Sequence, residues 1–335
     1  MARFYHSGVI LSPQTDLHAK DGYMQPRYKS CEERTPDLQY HWALSSTLYP
    51  DMALNGRGEY IRNEFQTHGR YSNFAMAPLD FKFENGFPLI TERKIGFWRK
   101  FINEMWAFMN GARTLQELRQ YGDAKTWPSF WENWVYAEKC AKFGLPAGDM
   151  GDGAYSVFGK YPAPDGTSFN QFLAMIDQAR DFPSLTTHMA TSWMPVYALG
   201  SKARQRKVVV APCHGTAVRI IINDGKLTLQ HVQRSADMPV GAVGNMVGYA
   251  SVALALAREL GVIPYRYVHF FMDAHTYENQ VDPWVHELLR RKPRAFPTLH
   301  VSNGAPTDFL ALRGEHFELS DYDPHPAMND IPVTE

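Results

Sequence analysis

One cysteine of this chain lies where it could act as a nucleophile. Cys213 follows the β-branched run 208–210 and a proline, so its side chain would be presented at a strand end. A free cysteine is more often a small buried hydrophobe, and a catalytic one needs a cation that stabilises the thiolate. Arg234 is the candidate cation, because it ends the strand that follows the cysteine segment and could return to its side. An arginine beside a hydroxyl, here Ser235, also suits a phosphate.

Three functions are compatible with these residues. A thiol hydrolase or acyl transferase would pair Cys213 with a histidine base, His214 or His275, and with an orienting acid such as Asp273. Neighbours on a strand point to opposite faces, which makes His214 the weaker candidate base. In the second reading, the thiolate adds to an electron-poor ring, aided by an arginine, a carboxylate and a flat aromatic pocket. The third is a binding module without catalysis.

Other side chains could complete such a site. Glu104 lies beside the apolar stripe of a predicted helix, and residues 126–134 contain three tryptophans and a phenylalanine. This aromatic segment is either part of the core or one wall of a pocket for a flat ligand. Polar residues inside apolar stretches must find hydrogen-bond partners if they are buried. Four residues of this kind are Asp237, Asn245, His275 and Tyr277.

The spacing of apolar residues predicts the helices that would position this chemistry. Apolar residues recur every three or four positions over 97–109, which predicts an amphipathic helix ending at Gly111. The same spacing predicts a helix over 169–180. The almost continuously apolar stretch 245–260, closed by Gly261, predicts a helix that is buried on most sides.

Strands are indicated by β-branched runs and turn residues. An Asn-Asp-Gly turn at 223–225 separates 217–222 from 227–233 and predicts a hairpin. Two further predictions are a strand pair, 71–83 with 87–90 around an Asn-Gly turn, and a strand over 265–272. Helices and strands in this order favour one α+β domain, an α/β fold in the broad sense, in which helices cover a mixed sheet.

Composition limits the class of protein. The chain has 335 residues and 38.2 kDa, with 44% hydrophobic and 13% aromatic residues, which excludes disorder, collagen and coiled coil. A formal charge of -1 gives no strong field toward nucleic acid or an anionic membrane. No stretch approaches the roughly 18 apolar residues of a membrane span. Three cysteines without zinc-ligand spacing indicate a reducing, cytoplasmic setting and no metal site.

The predicted organisation is a polar N-terminal extension over residues 1–45 and one catalytic domain over residues 46–335. Prolines at 13, 26 and 36 interrupt the first stretch. No repeat, low-complexity tract or clear linker interrupts residues 80–335. The extension would therefore lie on the domain or lead into it.

Several ordered motifs resemble one enzyme family. APCHGTAVR surrounds Cys213, QRSAD covers 233–237, GAVGN ends at Asn245 and DAHTY covers 273–277. The segments NGFPLITERK, FWENW, YDPHP and IPVTE match in the same order. Together, over roughly residues 81–335, they resemble the thymidylate synthase and pyrimidine nucleotide hydroxymethylase family. The resemblance implies a homodimer formed through one face of a large sheet. It also implies one-carbon transfer from 5,10-methylenetetrahydrofolate to C5 of a pyrimidine nucleoside monophosphate.

The same resemblance implies roles for individual residues. Cys213 would add to C6 of the ring, Arg234 would hold the thiolate and the phosphate, and Ser235 would bind the phosphate. Asn245 would read the O4 and N3 edge of the base, which favours uracil because cytosine-specific members have aspartate there. The terminal PVTE segment resembles a tail that closes over both ligands. Further catalytic roles would fall on Glu104, Tyr155 and Asp237, nucleotide contacts on Gln233, His214, His275 and Tyr277, and folate contacts on Trp131, Trp134, Asp237 and Gly241.

The sequence also departs from this family. Thr186 and Thr187 occupy the positions where family members present two arginines to the partner's phosphate site. Gln66 occupies the position of a further arginine that binds the phosphate in the family. Replacements could come from the basic run 202–207 or the loop 62–70. Gly248 stands where a serine is usual near the base. We expect methylation of dUMP to dTMP, with hydroxymethylation of dUMP, dCMP or CMP as the alternative and an inactive nucleotide-binding relative as the non-enzyme reading.

Overall fold

The computed structural model describes residues 25–53, 55–64 and 66–334. Its helices are α1 Gln39–Ser46, α2 Trp98–Met109, α3 Leu115–Leu118, α4 Ala137–Ala141, α5 Gln171–Asp181, α6 Pro195–Ala198, α7 Gly241–Glu259, α8 Glu278–Gln280 and α9 His286–Arg290. Its strands are β1 Glu59–Ile61, β2 Arg70–Asn73, β3 Leu79–Lys82, β4 Tyr161–Pro162, β5 Ser168–Phe169, β6 Met189–Ala190, β7 Ala217–Asn223, β8 Lys226–Gln233, β9 Ala236–Asp237, β10 Ile263–Phe271, β11 Ala274–Tyr277, β12 Thr298–Val301 and β13 Phe317–Ser320.

Two mixed sheets carry the fold. The larger has five strands in the order β3-β10-β8-β7-β6, with β10 parallel to β8 and the other pairs antiparallel. The second has four strands in the order β1-β2-β11-β9, with β11 parallel to β9. The α+β class with a mixed sheet is therefore confirmed, although nine strands divide between these two sheets and the other four form two separate pairs, β4 with β5 and β12 with β13.

The predicted hairpin is confirmed as β7 and β8. Its strands pair from Ala217 with Val232 to Asn223 with Lys226. Asp224 and Gly225 both have positive φ, 48° and 68°, as a two-residue turn between twisted strands requires. Alternate residues of β8 are buried, and their neighbours are half-buried. One face of the sheet therefore belongs to the core.

Helix α7 is the predicted buried helix and lies against α2 and the five-stranded sheet. Gly261 follows it at φ 64°, the left-handed position typical of a helix end. Small residues let α2 approach closely, since a Cβ at Gly248 would lie 2.9 Å from Cγ of Met105. Gly248 thus serves helix packing and does not line the cavity described below. The position of Gly248 does not support the prediction that the replacement of a serine by this glycine alters contacts to the base.

The predicted strand pair around the Asn-Gly turn at 85–86 is wrong. β3 pairs instead with β10, far along the chain, while residues 87–90 are buried without forming a strand. The backbone N–H of Phe87 donates to the carbonyl of Pro297. A Cβ at Gly86 would lie 2.6 Å from Cβ of Phe296, so the turn serves a close approach between segments. Long-range packing overrides the local hairpin signal here.

The described part of the predicted extension lies on the domain. Tyr40 of α1 is buried, and its hydroxyl donates to the carbonyl of Met238. Arg34 donates to the carbonyl of Phe296. Residues 1–24 lie outside the described residues, so the extension with its boundary at residue 45 stays a prediction. Among the described residues, no helix is long and apolar enough to cross a membrane.

Candidate active site

One cavity of about 540 Å³ collects the residues that the sequence singled out. It lies between α2, the start of α7, the 3₁₀ turn Ser129–Asn133 and the loop that precedes β7. Every residue to which the resemblance assigned a catalytic, nucleotide or folate role lines it: Glu104, Trp131, Trp134, Tyr155, Cys213, His214, Gln233, Arg234, Ser235, Asp237, Gly241, Asn245, His275 and Tyr277. The roles assigned to them stay predictions, but their convergence on one cavity is a structural fact.

Cys213 lies in an irregular segment between β6 and β7, and the run 208–210 before it is not a strand. Because the segment is irregular, Cys213 and His214 line the same cavity, and the expectation that they face opposite ways is wrong. The Cys213 N–H donates to Oη of Tyr155 at 2.8 Å. That Oη lies 3.1 Å from Sγ of Cys213, so the tyrosine O–H is left to donate to sulfur.

Two opposing effects act on the Cys213 thiol. Burial raises its pKa, whereas the Tyr155 hydrogen bond and the Arg234 charge lower it, and burial is the stronger. The guanidinium of Arg234 is held by carbonyls of the same loop, since Nε donates to Pro212 at 3.1 Å. The N–H of Ser235 donates to the carbonyl of Cys213 at 3.1 Å. The strand end at 234–235 therefore returns to the cysteine, as the sequence predicted.

Glu104 projects from the middle of α2 into the cavity and is 5% exposed. Burial raises its pKa to about 8, even though the indole Nε1 of Trp131 donates to Oε1 at 2.6 Å. The carboxyl therefore holds a proton at neutral pH and can still release it near pH 8. The aromatic segment is a cavity wall as well as part of the core, because Trp131 is buried and Trp134 half-buried.

Asp237 and Asn245 enter the cavity from β9 and α7. Burial raises the pKa of Asp237 to about 6, against the lowering influence of the His275 charge and of a bond from Gln280. The Nε2 of Gln280 lies 3.1 Å from Oδ2 of Asp237 and also donates to the carbonyl of Pro332 at 2.8 Å. One side-chain amide thus links the carboxylate to the C-terminal segment. Asn245 is 9% exposed, on the second turn of α7.

His275 and Tyr277 belong to β11 and point to the same side of it. Nδ1 of His275 lies 3.3 Å from Oδ1 of Asp273, whose other oxygen pairs with Nη2 of Arg70 at 3.0 Å. Burial raises the pKa of Asp273, but His275 and Arg70 outweigh it and hold the pKa below its usual value. A charged carboxylate therefore lies beside the histidine ring, although no hydrogen bond joins Nδ1 to Oδ1.

His214 and Gln233 form the floor of the cavity and are both buried. Burial lowers the pKa of His214 to about 3, so its ring is neutral. Its Nδ1 bonds Oη of Tyr249 at 2.8 Å, and its ring stacks on Tyr155 with centroids 4.1 Å apart. Gln233 donates to the carbonyl of Ser235 at 3.0 Å. A histidine of this kind does not serve as the base of a thiol hydrolase.

The structure adds cavity residues that sequence reasoning missed. Arg93 is buried and donates to the carbonyl of Pro239, and the sequence singled it out only as part of the motif NGFPLITERK, with no role of its own. Phe101 and Phe130 extend the aromatic wall. Met328 and Asn329 come from the C-terminal segment, followed by Ile331 and Val333 of the IPVTE motif, whose tail the resemblance already placed over the ligands. Thr186 and Thr187, by contrast, are exposed and do not line the cavity.

A family model described as thymidylate synthase matches residues 51–333. This match covers the cavity, the cysteine loop and both mixed sheets, and it begins after the predicted extension. Members of this family transfer a one-carbon unit to a pyrimidine nucleotide, generally from methylenetetrahydrofolate. The chain belongs to the thymidylate synthase family of one-carbon transferases.

Proposed function

We propose that this enzyme methylates C5 of dUMP to give dTMP, through a covalent bond between Cys213 and C6 of the ring. The observation that carries the proposal is the contact of Sγ with the Tyr155 hydroxyl, in a cavity that also holds Glu104 and Asn245. A nucleophile, a proton-transfer carboxyl and a base-reading amide are the groups this reaction requires.

Cys213 would begin the reaction by adding to the ring. The thiol first passes its proton to water; burial opposes this loss, whereas the Tyr155 hydrogen bond and the Arg234 charge favour it. A bond forms between Sγ and C6, the C5–C6 π electrons move toward O4, and C5 becomes a carbon nucleophile. Arg234 supports the thiolate because its positive charge lies beside the cysteine loop.

Glu104 and Tyr155 would move protons around the ring. A carboxyl with a pKa of about 8 exchanges protons readily with a water near pH 7. Tyr155 stays protonated, because burial raises its pKa well above the usual value. Its hydroxyl can therefore donate to sulfur, and its oxygen would orient the water that carries the C5 proton away.

Recognition of the nucleotide would divide along the cavity. Asn245 offers both a donor and an acceptor to the O4 and N3 edge of uracil. His275 and Tyr277 would bind the sugar hydroxyl, with the Asp273 carboxylate beside His275. Arg234 and Ser235 would hold the phosphate, and His214 and Gln233 would line the floor beneath the ring.

The remaining space of the cavity would hold the folate. Phe101, Phe130, Trp131 and Trp134 form an aromatic wall, and the side of Gly241 facing the cavity is open, since a Cβ there would meet nothing closer than 3.9 Å. Asp237 supplies a buried carboxyl for a polar ring edge. Methylenetetrahydrofolate would supply the one-carbon unit and, in a methylating enzyme, the hydride. The tail residues Ile331 and Val333 would exclude water from this end.

A homodimer in the cytoplasm is part of the proposal. The face of β7, β8 and β10 away from α7 is half-buried, and the row Ala217, Val232 and Phe270 crosses it in register. An apolar row of this kind suits a second copy of the chain. The three cysteines are free, as suits a reducing compartment.

Hydroxymethylation of dUMP, dCMP or CMP is the second candidate. It shares the first half of the reaction, and water then replaces hydride as the final nucleophile. The specific observation that favours it is the pair Thr186 and Thr187, neutral and exposed where relatives place phosphate arginines. A phosphate site arranged differently would suit a different nucleotide.

The test is the mass of the product. The enzyme is incubated with methylenetetrahydrofolate and dUMP, dCMP, UMP or CMP, while absorbance follows dihydrofolate. The expected result is methylated dUMP with one dihydrofolate per product. Cys213→Ser should abolish turnover and the covalent adduct, whereas Cys31→Ser, at an exposed cysteine, should leave both unchanged.

Each other outcome changes the conclusion. Hydroxymethyl product without dihydrofolate identifies the hydroxymethylase. No product, together with no tritium release from C5 of any nucleotide, identifies an inactive binding relative. Full turnover by Cys213→Ser contradicts the covalent mechanism.

A further inference from the structure

Two guanidinium groups are anchored on the loop that leads to Cys213. Nη2 of Arg206 donates to the carbonyl of Val209 at 2.8 Å. Nη2 of Arg234 lies 3.4 Å from the carbonyl of Ala211. Consecutive Cα atoms are about 3.8 Å apart, so the two anchoring residues lie within roughly 7.6 Å of each other. The two positive groups are thereby held on one short stretch of backbone, of which Val210 and Ala211 line the cavity.

Neither guanidinium has a carboxylate partner among the described residues. Arg206 is half-buried, with its guanidinium 4.5 Å from the ring centre of Phe143, and Arg234 lies 5.3 Å from that of Trp193. Burial and the charge of Arg234 both lower the pKa of Arg206. Like charges kept together and partly out of water are unfavourable unless an anion joins them.

Other basic residues near this end of the molecule are less suited. Arg70 in the loop 62–70 is neutralised by Asp273 and also donates to Gln66. Arg204 is exposed and donates to the carbonyl of Val196. Lys202 and Lys207 are exposed. Of the basic run and the loop, Arg206 is the residue whose charge adjoins Arg234.

We propose that Arg206 is a second phosphate-binding residue, which acts beside Arg234 of the same chain on the 5′-phosphate of the pyrimidine nucleotide. The proposal rests on the proposed function, because the phosphate belongs to the nucleotide whose ring Cys213 attacks. A phosphate dianion is bound well by planar guanidinium groups, and the Ser235 hydroxyl adds a further donor. Each subunit would then hold the phosphate with its own arginines, in place of the pair absent at Thr186 and Thr187.

The test is a calorimetric titration that does not depend on turnover. The full-length protein is titrated with dUMP, deoxyuridine and inorganic phosphate. Four proteins are compared: wild type, Arg206→Gln, Arg206→Lys and the matched control Arg204→Gln. Urea unfolding of each variant checks that the fold is intact.

Arg206→Gln should weaken binding of dUMP and of inorganic phosphate by about 10- to 100-fold, the effect of one charge-assisted hydrogen bond. Deoxyuridine should bind as in the wild type, because it has no phosphate. Arg206→Lys should recover part of the loss, since it restores the charge without the fork geometry. Arg204→Gln should leave the affinities for dUMP and inorganic phosphate unchanged, because Arg204 is not one of the two proposed phosphate-binding arginines.

Other results overturn the proposal. An unchanged affinity for phosphate, or an equal loss for dUMP and deoxyuridine, would show that Arg206 only supports the loop. A wild type that binds neither dUMP nor inorganic phosphate would remove the phosphate site altogether. If inorganic phosphate binding depends on Arg206 but no nucleotide is turned over, the phosphate site stands and the proposed reaction fails.

Discussion

At the scale of single residues, the carboxyl of Glu104 makes stability depend on pH. Burial raises its pKa from 4.5 to about 8, so the folded protein holds this proton more tightly than the unfolded chain. The contribution of this proton to the free energy of unfolding is fully present below about pH 4.5 and is lost as the pH rises through 8. Between pH 6 and 8 the free energy of unfolding should fall by about 1.4 kcal/mol per pH unit from this group.

Replacing Glu104 by glutamine should remove this slope, because the amide cannot ionise but can still accept the Trp131 bond. Urea unfolding at several pH values between 6 and 9 measures it. Glu92 is the matched control: it is buried, with a pKa raised to about 7, so Glu92→Gln should alter the curve mainly below pH 7. Parallel curves for wild type and Glu104→Gln would show that the folded pKa of Glu104 is ordinary.

Which residues belong to the site is predictable where a chemically suitable side chain also lies in a recognised motif. Cys213, Glu104 and Asn245 were named from their types and surroundings, and they do line one cavity. Arg206 was only one member of a basic run, because its proximity to Arg234 depends on how the loop folds. Arg93 gave no periodic signal, since it lies in a buried irregular segment.

At the scale of elements, two glycines allow the cost of backbone strain to be distinguished from the cost of steric crowding when each is replaced by alanine. Gly215 follows the cysteine loop at φ 65°, and Gly225 closes the β7–β8 turn at φ 68°. A Cβ at Gly215 would lie 2.4 Å from Oη of Tyr249, whereas a Cβ at Gly225 would meet nothing within 4 Å. The two positions share the left-handed backbone and differ in the space around it.

Gly225→Ala should therefore cost about 1–2 kcal/mol of stability, the price of a left-handed alanine. Gly215→Ala should cost roughly 1–3 kcal/mol more, because Tyr249 must move. Tyr249 bonds His214, so Gly215→Ala should also lower kcat while Gly225→Ala leaves it unchanged. Urea midpoints and kcat values measure both effects. Equal losses of stability would mean that the Tyr249 contact relaxes freely.

Elements with local signals were predictable, and those with distant partners were not. The hairpin at 217–233 and α2, α5 and α7 follow from turn residues and apolar spacing within each segment. β3 instead pairs with β10, almost two hundred residues later, which no turn residue at 85–86 could reveal. The same limit concealed the division of the strands among separate sheets, because strand order is a property of the whole chain.

At the scale of the whole molecule, the outer face of the five-stranded sheet predicts the oligomeric state. Val232 lies between Ala217 and Phe270 in register, on the face opposite α7. Val232→Glu should place a charge in the proposed interface and convert the dimer into a monomer of 38.2 kDa. Lys226→Glu, at the exposed end of β8, should remain a dimer.

Light scattering after size-exclusion chromatography measures these masses at micromolar concentration. A wild-type monomer would contradict the dimer outright, and a dimeric Val232→Glu would move the interface to another surface. The phosphate proposal makes a separate statement about the assembly. If Arg206 and Arg234 hold the phosphate within one chain, a Val232→Glu monomer that remains folded should keep its phosphate affinity.

The two walls of the cavity differ in local stability, because one is the buried helix α7 and the other is a short surface turn. The residues of α7 are buried along nearly the whole length of the helix, and its first turns carry Gly241 and Asn245. Trp131 comes instead from a short 3₁₀ turn near the surface. Amide hydrogens of α7 should exchange with deuterium only when the whole molecule opens, whereas those around Trp131 should exchange through local openings. The edge that reads the base would thus stay in place while the aromatic wall opens to admit and release the second ligand.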